Sequence, residues 1–186
     1  MEHQGRRTHG RDERMSKEEQ RATRERINVL RRADIYDLTE AQLEMVASIA
    51  SEAEYGMGEV IFRENSAGDE LYVIASGEVE IQGDPGLIKP RGKGENRLVT
   101  IATLRSGQTF GEVTLVDQGL RTASARSASR QTRLLIIPRD RLITPCDHYP
   151  ELGYRLMRNI AADLAFKIRG TDLLIREQLL WRPRYR

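Results

Sequence analysis

The chain has 186 residues, of which 39% are apolar and 31% are charged, a composition that fits one packed domain with polar ends. No run of 18 apolar residues occurs and the first residues have no apolar core, so we expect neither a membrane span nor a secretory signal. The single cysteine, Cys146, cannot form an internal disulfide, and this fits the reducing cytoplasm.

The net charge of +2 is distributed unevenly along the chain. Residues 1–32 hold ten basic and six acidic residues, a net charge of +4. Residues 155–186 hold eight basic and three acidic residues, a net charge of +5, so the middle of the chain carries −7. Basic ends can attract nucleic acid or anionic lipid. The N-terminal end alternates in sign and has no interleaved aromatic residues, so we expect a solvated tail there.

The N-terminal part is predicted to contain an arm and then a helical segment. Residues 1–22 are polar and have no apolar period, which predicts a disordered arm. A helical segment is predicted at 23–55, where Thr39 and Gln42 have the spacing of a capping box. The apolar residues that follow recur at three- and four-residue spacing and predict one buried helix face: Leu43, Val46, Ile49 and Ala50.

Residues 56–140 are predicted to form a β-domain. Short runs such as ELYVIAS and TRLLIIP are rich in β-branched residues, and Gly or Asp-Gly turn signals separate them. Short strands at this spacing are typical of an antiparallel sandwich or barrel. A stretch rich in Gly and Pro, residues 83–96, predicts a loop between two strands.

Residues 141–182 are predicted to form C-terminal helices. Pro150 stands where the first turn of a helix tolerates proline. Apolar residues from Leu152 to Leu179 follow at spacings of three and four, which predicts a long helix with an apolar stripe. Gly170 predicts a bend in this helix, because glycine costs about 1 kcal/mol in a helix interior.

The segment FGEVTLVDQGLRTA, residues 110–123, combines groups that suit a sugar phosphate. Gly111 lets the backbone approach a ligand closely. The residues VTLV that follow can form one turn of helix at most, and the free amides at the start of such a turn favour an anion. The Arg121 guanidinium can form a bidentate contact with a phosphate, and the Glu112 carboxylate can accept hydrogen bonds from sugar hydroxyls. Taken alone, the same spacing also fits an ordinary ion pair between Glu112 and Arg121 on the surface.

The segment resembles the phosphate-binding cassette of the cyclic-nucleotide-binding domain family, whose pattern runs F-G-E-[LIV]-[AS]-L and then P-R-[AST]-A. The matching residues are Phe110, Gly111, Glu112, Val113, Leu115, Arg121, Thr122 and Ala123. The stretch GDELYVIASGEVEI is similar to a strand pair of the same family, and the likeness covers about residues 35–180.

The resemblance implies a mainly β fold, an eight-stranded antiparallel jelly roll with flanking helices and a long C-terminal helix. It implies that Glu112 accepts from the ribose 2′-hydroxyl and that Arg121 pairs with the cyclic phosphate. Gly111 would allow close approach, and Thr122 would donate to the phosphate or to a guanine amino group. Backbone amides would complete the anion site, namely those of Val113, Thr114 and Ala123.

The resemblance also implies that the C-terminal helix caps the base. The capping candidates on this helix are Lys167, Ile168, Arg169 and Thr171. Both cAMP and cGMP are candidate ligands. Thr122 is compatible with recognition of guanine but does not establish it. Of the two bases we prefer a purine that carries a 6-amino group.

Two residues depart from the family pattern. Thr114 stands where Ala or Ser is usual, and its methyl group is expected to narrow the floor of the site. Leu120 stands where proline often precedes the arginine, so the backbone that leads to Arg121 is expected to be less rigid.

From these features we expect a cyclic nucleotide sensor whose C-terminal helix transmits ligand occupancy, without catalysis, cofactor or metal. Its histidines, His3, His9 and His148, are scattered and offer no acid–base set. The alternative is a scaffold or dimerisation module that binds no nucleotide.

Two further expectations concern partners. The later part of the helical stripe predicts a parallel homodimer seam, or a contact with a downstream protein, through Leu164, Ile168, Ile175 and Leu179. Few residues follow the helical pattern, so we expect no DNA-binding domain in this chain.

Overall fold

The computed structural model describes residues 9–33, 37–84 and 98–180. Eight strands within these ranges form two antiparallel four-stranded sheets, in the orders β1-β8-β3-β6 and β2-β7-β4-β5. The strands are β1 Ser51–Gly56, β2 Val60–Phe62, β3 Leu71–Ser76, β4 Glu78–Gly83, β5 Val99–Arg105, β6 Thr109–Phe110, β7 Ser124–Ser127 and β8 Gln131–Ile137. The expected eight-stranded jelly roll is therefore confirmed, while the predicted loop at 83–96 falls largely outside the described residues.

Five helices flank or interrupt the strands in the described part of the chain. They are α1 His9–Arg32, α2 Glu40–Ile49, α3 Glu112–Asp117, α4 Arg139–His148 and α5 Pro150–Leu180. The short helix α3 lies within the cassette, and α5 starts at Pro150 as the sequence predicts.

Helix α2 begins at the predicted capping box. The Gln42 amide donates to Thr39 Oγ1 at 3.3 Å, and the Thr39 amide donates to Gln42 Oε1 at 2.9 Å. These two bonds satisfy amides that a helix start leaves without partners. Leu43 and Val46 are buried on the predicted face, so the start and the packing of α2 are confirmed.

The predicted disordered arm, 1–22, is wrong from His9 onward, because α1 occupies that part of the chain. Residues 1–8 lie outside the described residues. The arm is rich in Arg, Glu and Gln, which have good helix propensity. An ion pair of i,i+4 spacing, with Arg21 Nε 3.4 Å from Glu25 Oε1, adds to this preference.

The predicted helical segment, 23–55, extends too far, because Ser51–Gly56 forms strand β1. This strand pairs with β8, from Ser51 opposite Ile136 to Gly56 opposite Gln131. Its sequence contains Ala and Glu, which favour helix, so the distant pairing partner decides its conformation. At its other end the predicted β-domain is slightly too long, since β8 ends at Ile137 and α4 begins at Arg139.

The two halves of α5 differ in their packing. Leu152, Leu156 and Ile160 are buried in the core between the helices and the first sheet, at the predicted four-residue spacing. Farther along, Phe166 is 72% exposed and Ile168 is 61% exposed. We call residues 165–180 the outer half of α5. The helix continues through Gly170, so this glycine does not interrupt it.

Candidate functional site

A cavity of about 430 Å³ lies between the cassette, strands β4 and β5, and helix α5. A volume of this size is within the range of small-molecule sites, about 300–1,000 Å³. Its walls are largely apolar, with Phe62, Ile81, Ile101, Leu104 and Phe166 among the lining residues. Its polar groups come from the cassette, from α5 and from Gln108, and these groups define its chemistry.

The structure brings all seven cassette residues predicted to bind ligand to this cavity: Gly111, Glu112, Val113, Thr114, Arg121, Thr122 and Ala123. Two of the capping candidates, Lys167 and Thr171, also line the cavity. Arg169 and Ile168 are exposed and are not among the lining residues. Arg169 lies two residues from Lys167, which is about 200° around the helix, so it points elsewhere.

Backbone conformation and packing fix the start of the cassette. Phe110 is buried and stacks on Tyr72 with ring centroids 4.9 Å apart. Gly111 has a φ of 84°, and a Cβ there would lie 2.6 Å from the Glu70 carbonyl oxygen and 2.8 Å from Arg121 Nη1. Glycine is therefore required at this position by the close approach of the chain's own groups. Helix α3 then starts at Glu112 and spans six residues, more than the single turn predicted.

Arg121 is the central cation of the site, and its side chain is only 2% exposed. Its Nη2 donates to Glu70 Oε2 at 2.7 Å, and its Nη1 donates to the carbonyl oxygens of Glu70 and Gly111 at 3.2 Å. The guanidinium carbon lies 4.4 Å from the centroid of the Phe62 ring, a cation–π contact. The buried Nε of Arg121 has no hydrogen-bond partner among the described residues.

Thr114, one of the two departures from the family pattern, is a further partner of Arg121. Arg121 Nη1 donates to Thr114 Oγ1 at 2.7 Å, and this hydroxyl donates to the Gly111 carbonyl oxygen at 3.2 Å. Thr114 is buried and lines the cavity. Its hydroxyl therefore helps to hold the guanidinium in addition to adding a methyl group.

Glu112 is almost fully buried and pairs with helix α5. Lys167 Nζ donates to Glu112 Oε1 at 2.9 Å, and it lies 2.7 Å from Asp163 Oδ2. Burial lowers the pKa of the Lys167 ammonium, but the charges of Glu112 and Asp163 outweigh this effect and raise the pKa above its usual value. Both acidic partners therefore favour the charged form of Lys167.

An ordinary surface ion pair between Glu112 and Arg121 is excluded. Both side chains are buried, and each forms an ion pair with a different residue, Lys167 and Glu70 respectively. The two cassette charges thus lie at separate places around one cavity.

Two site residues were missed by the sequence reading, Glu70 and Asp163. Glu70 contacts Arg121 across 51 positions of sequence, and no local pattern indicates that pairing. Asp163 stands four residues before Lys167, and this spacing on a helix is a recognised signal for an ion pair.

Other kinds of site find no support in the described ranges. There, no group of three His, Cys, Asp or Glu side chains is arranged to hold a metal ion. In the same part of the chain, none of the helices is long and apolar enough to cross a membrane.

An antiparallel jelly roll whose cassette and C-terminal helix line one cavity defines a small-ligand-binding domain. A sequence model of the family described as "Cyclic nucleotide-binding domain" matches residues 52–149, more than half of the chain. The chain therefore belongs to the cyclic nucleotide-binding domain family.

Named relatives carry the same domain. The Cyclic AMP receptor protein of Thermus thermophilus is 32% identical over 138 residues, covering 74% of this chain and 58% of that protein. The cGMP-dependent protein kinase egl-4 of Caenorhabditis briggsae is 29% identical over 115 residues, covering 61% of this chain and 14% of the kinase. The chain thus spans less than two thirds of the length of these relatives.

A solved structure shows the same fold. The crystal structure of a cyclic nucleotide-binding domain from Methylobacillus flagellatus matches with a TM-score of 0.69 and covers 83% of each chain. Its sequence identity to this chain is 21%, so the likeness concerns the fold alone.

Proposed function

We propose that the chain is a cyclic nucleotide sensor whose ligand occupies the cavity and whose helix α5 transmits occupancy. The observation that carries this proposal is the gathering of all seven cassette residues around one cavity that α5 also lines. Family membership supports it, because the matched domain is named for cyclic nucleotide binding.

The charges of the cavity suit the two polar parts of such a ligand. Arg121 is a buried cation that lines the cavity, which suits a cyclic phosphate. Glu112 is a buried acceptor, which suits the ribose 2′-hydroxyl. The apolar walls between them, including Ile81 and Leu104, suit the faces of a purine.

We propose cAMP as the preferred ligand, with cGMP as the second candidate. The 32% identical relative is named for cyclic AMP, and it matches more of this chain than the 29% identical kinase named for cGMP. Thr122 lines the cavity and offers a hydroxyl that suits either base, so the preference rests on the relatives.

The output of the sensor is proposed to be a protein contact on α5, without catalysis. Leu164 packs against the domain's own core, so it is not free for the predicted dimer seam, and Ile175 and Leu179 have side chains outside the described residues. Exposed apolar side chains do occur on α5, at Tyr154 and Ile168, and we propose them for a second copy or a downstream protein. The half-buried thiol of Cys146 suits a cytoplasmic location.

One observation favours the alternative, a scaffold that binds no nucleotide. Both cassette charges are already paired within the chain, Arg121 with Glu70 at 2.7 Å and Glu112 with Lys167 at 2.9 Å. A ligand must join or replace these pairs, whereas a scaffold leaves them as they are.

Calorimetric titration with cAMP, cGMP and a cyclic dinucleotide separates the two functions. The sensor predicts binding of a mononucleotide, and Arg121→Ala should weaken it by up to about a thousandfold, given roughly 2–4 kcal/mol for a desolvated charged contact. Arg126→Ala is the matched control, because Arg126 also pairs with a glutamate, Glu80, but does not line the cavity. Absence of binding at millimolar ligand by the folded wild-type chain would favour the scaffold.

A further inference from the structure

We infer that Lys167 is a positioning residue that holds the Glu112 carboxylate for the ribose hydroxyl and thereby ties the outer half of α5 to the ligand. This inference rests on the proposed function of the cavity. It gives Lys167 a different role from the base cap expected from the sequence.

The ammonium of Lys167 is held by three different elements. Its Nζ lies 2.9 Å from Glu112 Oε1 on α3, 2.7 Å from Asp163 Oδ2 on α5 and 3.0 Å from the Thr109 carbonyl oxygen on β6. A lysine ammonium has three N–H donors, so three acceptors satisfy it fully. Its position is therefore defined by the barrel as much as by its own helix.

The contact leaves Glu112 able to accept from a ligand. Lys167 contacts Oε1, and a carboxylate has a second oxygen for another donor. The Glu112 carboxylate is almost fully buried, and Lys167 supplies the opposite charge that offsets its loss of hydration. A carboxylate held in one orientation by such a partner is well placed to accept from a hydroxyl.

Asp163 keeps Lys167 in place from the same helix. The two residues are four positions apart, and the Asp163 side chain is nearly buried. Thr109 Oγ1 also donates to Asp163 Oδ2, at 3.5 Å. A long lysine side chain loses rotamer freedom when it is fixed, and Asp163 fixes it before any ligand arrives.

The same contact attaches the outer half of α5 to the barrel. Leu152, Leu156 and Ile160 anchor the inner half in the core, whereas Phe166 and Ile168 are exposed. Of the hydrogen bonds described for residues 165–180, those of Lys167 reach the barrel, at Thr109 and Glu112. A ligand that stabilises Glu112 in this arrangement therefore also stabilises the outer half of the helix.

A ligand lacking the 2′-hydroxyl tests the positioning role. We would titrate wild type, Lys167→Met and Lys167→Arg with cAMP and with 2′-deoxy-cAMP. Lys167→Met is expected to weaken cAMP about tenfold and 2′-deoxy-cAMP at most about twofold, because the hydroxyl contact is what it disturbs. Lys167→Arg keeps a cation and should retain most of the wild-type preference for cAMP over 2′-deoxy-cAMP. Arg169→Met, an exposed position on the same helix outside the cavity lining, is the control and should change neither.

Equal losses for the two ligands in Lys167→Met would overturn the positioning role, since a general loss of structure or charge acts on both. If Lys167→Met does not fold, Asp163→Asn serves instead, with about a threefold loss expected for cAMP and little for 2′-deoxy-cAMP. Equal effects of Asp163→Asn on the two ligands would likewise overturn it. Failure of wild type to bind either ligand would refute the proposed function, a result distinct from wild-type binding with equal losses in the variants.

Discussion

Each of the two cassette charges forms an ion pair, and the two pairs differ in what they connect. Arg121 and Glu70 both belong to the barrel, and the guanidinium is further held by Gly111 and Thr114. Glu112 and Lys167 join the barrel to α5, and the Lys167 side chain is 30% exposed. The Arg121–Glu70 pair is therefore a part of the barrel, whereas the Glu112–Lys167 pair depends on the position of a helix.

Under the proposed function, this difference allows one small site both to hold a ligand and to report on it. The Arg121–Glu70 pair offers a preorganised cation, and none of the hydrogen bonds described for its guanidinium comes from α5. The bridging pair makes the accepting carboxylate depend on α5. Variants of the two pairs should therefore have separable effects, on barrel stability in one case and on the order of α5 in the other.

The largest effect on the ligand-free protein is expected for Arg121→Met. It removes a buried donor and leaves the Glu70 and Thr114 acceptors without it, which should lower the free energy of unfolding by about 2–4 kcal/mol. Chemical denaturation measures this loss, and hydrogen exchange of α5 below the transition should stay unchanged. A loss under about 1 kcal/mol, or faster exchange in α5, would contradict the view of this pair as a fixed part of the barrel.

Lys167→Met should have a smaller effect on unfolding and a larger one on α5. It leaves two carboxylates, Glu112 and Asp163, without their shared cation, and we expect a loss of about 1–2 kcal/mol. Amides of residues 163–171 should exchange about tenfold faster in the ligand-free protein, as a loss of about 1.4 kcal/mol of local stability implies. Arg169→Met is the control, and equal exchange in the two variants would show that Lys167 does not attach the helix.

Thr114 is a further partner of Arg121 whose contribution can be measured separately. Thr114→Ala removes the hydroxyl that accepts from Arg121 Nη1 and should lower the free energy of unfolding by about 1 kcal/mol. Thr114→Ser keeps the hydroxyl and should stay within about 0.5 kcal/mol of wild type. Denaturation of both variants measures this, and equal losses would show that packing of the methyl group, rather than the hydroxyl, is what matters.

The smallest effect concerns the Glu112–Lys167 pair at alkaline pH. Because the folded-state pKa of Lys167 is raised above 10.5, its stabilising contribution is complete below pH 10.5 and is lost as pH rises through the higher folded-state pKa. The stability difference between wild type and Lys167→Met should thus be constant from neutral pH to about pH 10 and shrink above it. Denaturation at a series of pH values measures this, with Lys167→Arg as a control that keeps its charge. A difference that already shrinks near neutral pH would contradict the raised pKa.

The sequence was sufficient for the parts of the site that lie close together along the chain. Residues 110–123 have a family spacing, and the structure gathers the predicted residues of this segment around one cavity. The capping box of α2 was likewise readable, since Thr39 and Gln42 are three positions apart. Local spacing is directly visible in a sequence, which is why these features could be predicted.

The partners of the two cassette charges could not be read in the same way. Glu70 reaches Arg121, and Lys167 reaches Glu112, through contacts that form only when the barrel closes and α5 packs on it. The same reason accounts for β1, whose helix-favouring composition is overridden by pairing with β8 about 80 positions away. Long-range pairing decided each of these features.

Hydrogen exchange of α5 with and without saturating cAMP tests the central claim, that occupancy of the cavity is transmitted to this helix. We expect slower exchange across residues 163–171 in wild type when ligand is bound, and little change in Lys167→Met at equal saturation. Unchanged protection of these residues in saturated wild type would contradict it.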